Sequence, residues 1–173
     1  MIMEKFADLP YVRPDMEKVF ARVSGDIAAL KEAKSYGEFR SAYMDYVEAD
    51  TELETSKTIA HIRNTINLLD EFYEGEMAYF NSQMPKYGLL KKEMGEVIVA
   101  SPFKGDMEAE FGTILLKNME AQKKLSEESI VEDQVKEAEL VNQYMKTQAA
   151  ATVDLKGEQL GTYGLLKHMQ STD

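Results

Sequence analysis

The chain has 173 residues, 44% of them hydrophobic and 29% charged, which suits one folded domain or at most two and argues against disorder. Acids outnumber Lys and Arg by 31 to 20, a formal charge of −11, so phosphate backbones and anionic membrane surfaces are repelled. Cysteine is absent, which excludes disulfides, a thiol nucleophile and thiolate metal sites. The first ten residues carry Glu4, Lys5 and Asp8 where a signal peptide would be apolar, and no stretch reaches the ~18 uninterrupted apolar residues of a membrane span. A cytoplasmic protein without nucleic-acid or membrane partners is expected.

Pro14 and Asp15 signal a helix start, and Met16, Val19, Phe20, Val23, Ile27 and Leu30 follow on one face. Ser35 and Glu38 have the spacing of a capping box for the next helix. From Phe39 no proline or glycine occurs until Gly75. An apolar stripe opens with Phe39, Tyr43, Tyr46 and Val47 and resumes as Ile59, Ile62, Ile66, Leu69, Tyr73, Met77 and Phe80, which places Ile62, Ile66 and Leu69 in the core. The polar run from Asp50 to Ser56 marks a bend or break.

Pro85 and Gly88 punctuate, and Leu89, Leu90, Met94, Val97 and Ile98 then form another face. Gly105 and Asp106 start a helix with Met107, Phe111, Ile114, Leu115 and Met119 inward. Ser126, Glu127 and Glu128 open the next, which carries Val131, Val135, Ala138, Leu140, Val141, Tyr144 and Met145. The texture changes after residue 148. Ala151 to Leu155 alternates, Lys156 and Gly157 can turn, and Glu158 to Thr162 can return as a second strand before a short helical segment, Tyr163 to Met169.

Groups that could do chemistry are sparse. A di-iron carboxylate bundle needs Glu-x-x-His, but Thr58 and Leu165 stand three residues before His61 and His168. Those two histidines are a hundred residues apart and give no metal-ligand spacing, so both read as surface or boundary residues. Glu48, Glu52 and Glu54 read as solvated surface. Tyr36, Tyr43, Tyr46, Tyr73, Tyr79 and Tyr87 read as core and rim before ligand contacts, and Gly157, Gly161 and Gly164 lack the context of a phosphate loop. No residue is assigned a catalytic, cofactor-binding or metal role.

Several stretches resemble one family. Asp8-Leu9-Pro10-Tyr11-Val12-Arg13-Pro14-Asp15-Met16, Ile62-Arg63-Asn64-Thr65-Ile66 running to Asp70-Glu71-Phe72-Tyr73, and Ser101-Pro102-Phe103 are similar to the N-terminal region of the oligoendopeptidase F family. Gly157-Glu158-Gln159-Leu160 and Met169-Gln170-Ser171 resemble its short ribbon and the segment after it, although Thr172 stands where the family tends to have proline. The resemblance implies the non-catalytic part of a zinc metallopeptidase related to thimet oligopeptidase, an α-helical protein whose deep channel cuts short peptides. The His-Glu-x-x-His motif that holds zinc in the family is missing here, since Ile62 follows His61 and Met169 follows His168.

The expected fold is mainly all-α: an elongated antiparallel helical bundle over residues 1–148, then a short C-terminal β-hairpin and tail over 149–173 leading toward a missing catalytic domain. The expected partners are that domain, short peptides in the parent enzyme and a second copy of the fragment. No cofactor is expected in this chain, and zinc belongs to the parent by resemblance. The alternative is a stand-alone helical protein-interaction module.

Overall fold

The computed structural model describes residues 5–122 and 128–170. Residues 1–4, the helix start expected at Ser126 and Glu127, and Ser171, Thr172 and Asp173 of the expected tail lie outside them. Among the described residues are seven helices and one two-stranded hairpin, so the mainly helical expectation holds. None of those helices is long and apolar enough to cross a membrane.

Helix α1 spans Met16–Glu32, and the Asp15 side chain accepts the Lys18 N–H at its start. Such a cap satisfies one of the amides a first turn leaves without an intrahelical partner. Met16, Val23, Ile27 and Leu30 are its buried face. Helix α2 is continuous from Tyr36 to Ile66. Its 31 residues make a rod of about 46 Å at 1.5 Å per residue. Ser35 Oγ accepts the Glu38 N–H, and the Glu38 carboxylate reaches back to the N–H of Lys34, one residue earlier than an ideal capping box. The bend expected between Asp50 and Ser56 does not occur. Ala49 and Leu53 are buried there against the bundle, and tertiary burial overrides the polar neighbours.

The break comes later, at residues 67–70. Asn67 closes α2, and its side chain accepts the Leu69 N–H at 3.1 Å. Asp70 then caps helix α3, Glu71–Ala100, by accepting the N–H groups of Phe72 and Tyr73. Short polar side chains that bond nearby backbone stop one helix and start the next, which resets the helical phase. The expected core placement of Ile62, Ile66 and Leu69 is therefore corrected: Ile62 is half-buried, while Ile66 and Leu69 are 75% and 76% exposed. An Ile66→Asp substitution should change the stability of this chain by no more than ~0.5 kcal/mol, as at other surface positions. A loss of several kcal/mol in urea titration would return that face to the core.

Pro85 does not end α3. It lies inside the helix, where it lacks the N–H that would bond the Asn81 carbonyl. Burial on both sides of it, with Met77 and Phe80 before and Tyr87, Met94 and Ile98 after, outweighs that local cost. Helix α3 is the hub of the fold, in contact with α1, α2 and the three helices of the chain described next.

The helix expected from Gly105 is two helices. Helix α4, Lys104–Phe111, ends at Gly112, whose φ of +88° a residue with a side chain rarely adopts, and α5 runs Thr113–Gln122. Met107 and Leu116 are buried, but Ile114, expected inward, is exposed because its helix is turned by that break. After a 3-10 turn at Glu128–Ile130, helix α6 spans Val131–Ala150. It lies on α3 through half-buried Gln134, Val135, Ala138, Asn142 and Lys146, with no residue fully buried. Lys146 pairs there with Glu74 of α3.

Strands β1, Thr152–Leu155, and β2, Glu158–Gly161, form the antiparallel hairpin with Val153 opposite Leu160. Lys156 and Gly157, both at positive φ, make the turn, and Asp154 accepts the Gly157 N–H. Helix α7, Thr162–Met169, folds back on β2 and covers Leu160. The ribbon thus leans on its own tail helix, as a bare two-stranded ribbon would be marginal in water.

Candidate functional site

The chain's two histidines stand apart. His61 is exposed on α2 and His168 is exposed on α7. Among the described residues no three His, Cys, Asp or Glu side chains gather closely enough to hold a metal ion. A zinc ion needs about four converging N, O or S ligands, so the described residues do not fit one. The Glu-rich face of α2 is surface, as expected: Arg22 of α1 pairs with Glu48 and Glu52, and Lys57 pairs with Glu54.

Polar groups do converge at two places in the bundle. The first is a clasp that holds the extended lead-in before α1 against α3. Glu76 is 1% exposed, and Arg13 Nε lies 3.0 and 3.1 Å from its two carboxylate oxygens. Arg13 Nη2 and the Tyr11 hydroxyl donate to the same carboxylate. The guanidinium lies 4.6 Å from the centre of the Tyr79 ring, and the Tyr79 hydroxyl donates to the Pro14 carbonyl. Arg63 of α2 donates to the Leu9 carbonyl and to the Tyr73 hydroxyl. The Arg13 hydrogen bonds hold the Glu76 carboxyl below the usual carboxylate range, against the opposing effect of burial. Burial, and then the Glu76 carboxylate, push the Tyr11 phenol up. Every strong acceptor is matched by a donor, so this cluster positions the chain.

The second is a cleft of about 480 Å³ between α2, α3 and α5. Gly95 sets the α3–α5 spacing, since a Cβ there would come within 3.2 Å of Met119. Helix α5 rests mainly on α3, and the space beside α2 stays open. At the rim, Asp50 accepts from the Tyr87 hydroxyl at 3.0 Å and pairs with Lys91 at 2.9 Å. Burial, foremost, pushes the Tyr46 and Tyr87 phenols up. The tyrosines expected as core are so at Tyr43, Tyr46 and Tyr87, while Tyr36, Tyr73 and Tyr79 are half-buried. The cleft itself escaped the sequence reading, although Tyr46 with Asp50 and Tyr87 with Lys91 both have the i, i+4 spacing of one helix face.

A third feature is apolar surface left uncovered. On α6, Leu140, Val141, Tyr144 and Met145 are exposed, Tyr144 by 67%. Beyond it Val153, Leu166 and Met169 are exposed, Met169 by 78%, whereas Leu155 and Leu165 are half-buried. Patches of this kind mark contact surfaces more often than free ones.

Residues 6–126 match the family described as the peptidase M3 N-terminal domain. A solved structure of PZ peptidase A with an inhibitor is 30% identical, with a TM-score of 0.94 over 98% of this chain. A structure described as an oligoendopeptidase F is likewise 30% identical, with a TM-score of 0.95 over 99% of this chain. An oligoendopeptidase F structure from Bacillus anthracis str. Ames, at 24% identity and a TM-score of 0.92 over 96% of the chain, shares the fold. The chain spans only 30%, 30% and 31% of those three proteins, respectively. No curated protein matches the chain.

Proposed function

The chain belongs to the peptidase M3 N-terminal domain family, and from that premise we propose that it is the helical, non-catalytic wall of a cytoplasmic zinc-dependent oligoendopeptidase that hydrolyses short peptides. The observation that carries this reading is the near-complete superposition of the chain on less than a third of an oligoendopeptidase F and of PZ peptidase A. On this reading residues 1–148 are the wall, and residues 149–173 lead toward the catalytic half, which carries the zinc ligands and the general base. The exposed side chains of α6, the hairpin and α7 then meet that half and lose water there. Without it, they serve as the contact between two copies, and raised salt favours the pair by screening the charge of −11.

Two measurements test the proposal. The 173-residue chain should leave a quenched fluorescent peptide uncut and keep no stoichiometric zinc after dialysis. Chelator-sensitive cleavage by the pure chain would overturn it. The coding sequence should continue in frame beyond Asp173 to a His-Glu-x-x-His motif; a stop codon there would favour the stand-alone interaction module.

A further inference from the structure

The cleft between α2, α3 and α5 has the make-up of a ligand site. Its volume falls within the ~300–1,000 Å³ usual for small-molecule pockets. Val47, Met94, Leu115 and Met119 supply apolar walls, with the rings of Tyr43 and Tyr46 between them. Two of these walls are methionines, whose unbranched side chains adapt to an incoming shape.

Charge at this cleft runs against the rest of the chain. The charged residues lining it are Asp50, Lys91 and Lys92, two cations against one acid, in a protein of net charge −11. Asp50 is already matched by Lys91 and by the Tyr87 hydroxyl. Lys91 in turn is held by Asp50 and Glu54 and lies 5.6 Å from the centre of the Tyr87 ring. Among the described residues Lys92 has no ion-pair partner, and it stands half-buried at the apolar wall. An ammonium so placed favours an anion that can also fill the apolar space, and the Asn118 amide on the opposite wall can donate to it.

We propose that this cleft binds a small molecule with an apolar body and a single carboxylate, with the carboxylate on Lys92 and the body against Leu115, Met94 and Met119. The Tyr87–Asp50–Lys91 group is its floor: Asp50 is taken up by the Tyr87 hydroxyl and by Lys91, so its carboxylate does not compete for Lys92. Such a ligand could be a fatty acid or the free C-terminal end of an apolar peptide, which share this chemistry. The inference stands apart from the peptidase reading, since it needs no catalytic half.

Titration of the 173-residue chain, followed by the methyl resonances of Met94 and Met119, tests it with three probes. N-acetyl-leucyl-phenylalanine presents a peptide carboxylate, its C-terminal amide removes the charge, and octanoate presents a fatty acid. At least one of the two acids should shift both methyls saturably, and the amide should bind about tenfold more weakly, the scale of one charge-assisted hydrogen bond. Which acid binds more tightly identifies the source. Lys92→Met and Lys92→Gln should each weaken the acid by a similar factor, and Lys86→Met, on the exposed side of α3, should not. Equal binding of amide and acid, an unchanged affinity in both Lys92 variants, or no shift with either acid at millimolar concentration would overturn the proposal.

Discussion

Replacing Phe39 with alanine is expected to cost about 3–5 kcal/mol of folding stability, the range for a buried aromatic cut back to a methyl. Phe39 is 1% exposed near the start of α2 and packs at 5.3 Å, centroid to centroid, on Phe103 at the head of α4. Phe103 also meets Tyr36, so one ring ties the beginning of a 31-residue helix to a segment more than sixty residues later. Phe103, which also packs on Tyr36, would lose its Phe39 contact to the hole left by alanine. For a chain of this size the loss should lower the melting temperature by on the order of 10 °C. A change under ~1 kcal/mol in urea unfolding, at unchanged m-value, would show that the α2–α4 junction is not close-packed.

Replacing Arg13 with methionine should cost about 2–3 kcal/mol at neutral pH. Removing one member of a buried pair costs roughly 3–5 kcal/mol because the other charge is stranded, and the figure is reduced here because the Arg13 side chain is itself half-exposed. The pH dependence separates this cause from lost packing. In the unaltered chain the folded-state pKa of Glu76 is lowered, so its contribution is present above the unfolded value near 4.5 and disappears as pH falls through the folded value. In the variant, burial without the cation raises that pKa, so the folded state gains on acidification. The stability difference between the two proteins should therefore shrink between pH 7 and pH 4. Glu76→Gln in the Arg13→Met background should recover part of the loss at pH 7. A deficit that is the same at both pH values would mean that Arg13 acts through its contact with Tyr79 alone.

The helix starts were legible because capping is local. Asp15 and Ser35 announce α1 and α2 through side chains that need no distant partner, and the Lys156–Gly157 turn announces the hairpin in the same way. Errors arose where a distant contact outweighs the local pattern. Nothing near Pro85 in the chain reveals that Phe80 and Tyr87 are both buried and hold α3 together across it. Conversely, the three-four rhythm through Ile66 and Leu69 continues across residues 67–70 although the helix does not, because Asn67 and Asp70 reset the phase without disturbing the spacing. The clasp joins residues 63 and 65 positions apart and could not be read from spacing, although Tyr11 and Arg13 themselves belong to a recognisable stretch. The cleft is a property of three helices at once. Only its two i, i+4 pairs were within reach.

The length of that clasp sets a clock on the ribosome. The 63 residues that separate Arg13 from Glu76 take roughly 3–13 s to add at about 5–20 residues per second. Until Glu76 is added, Tyr11 and Arg13 lack this acceptor, whereas α1 and α2 are complete at Ile66, ten residues earlier, and their contacts close within the first half of the chain. The α1–α2 pair is thus available as an early unit, and the lead-in becomes the last part of the N-terminal sequence to settle. Docking of Arg13 on Glu76 reports that α3 has arrived. A ribosome stalled before Glu76 should leave the lead-in open to a protease that cuts at arginine, and one stalled well beyond it should not.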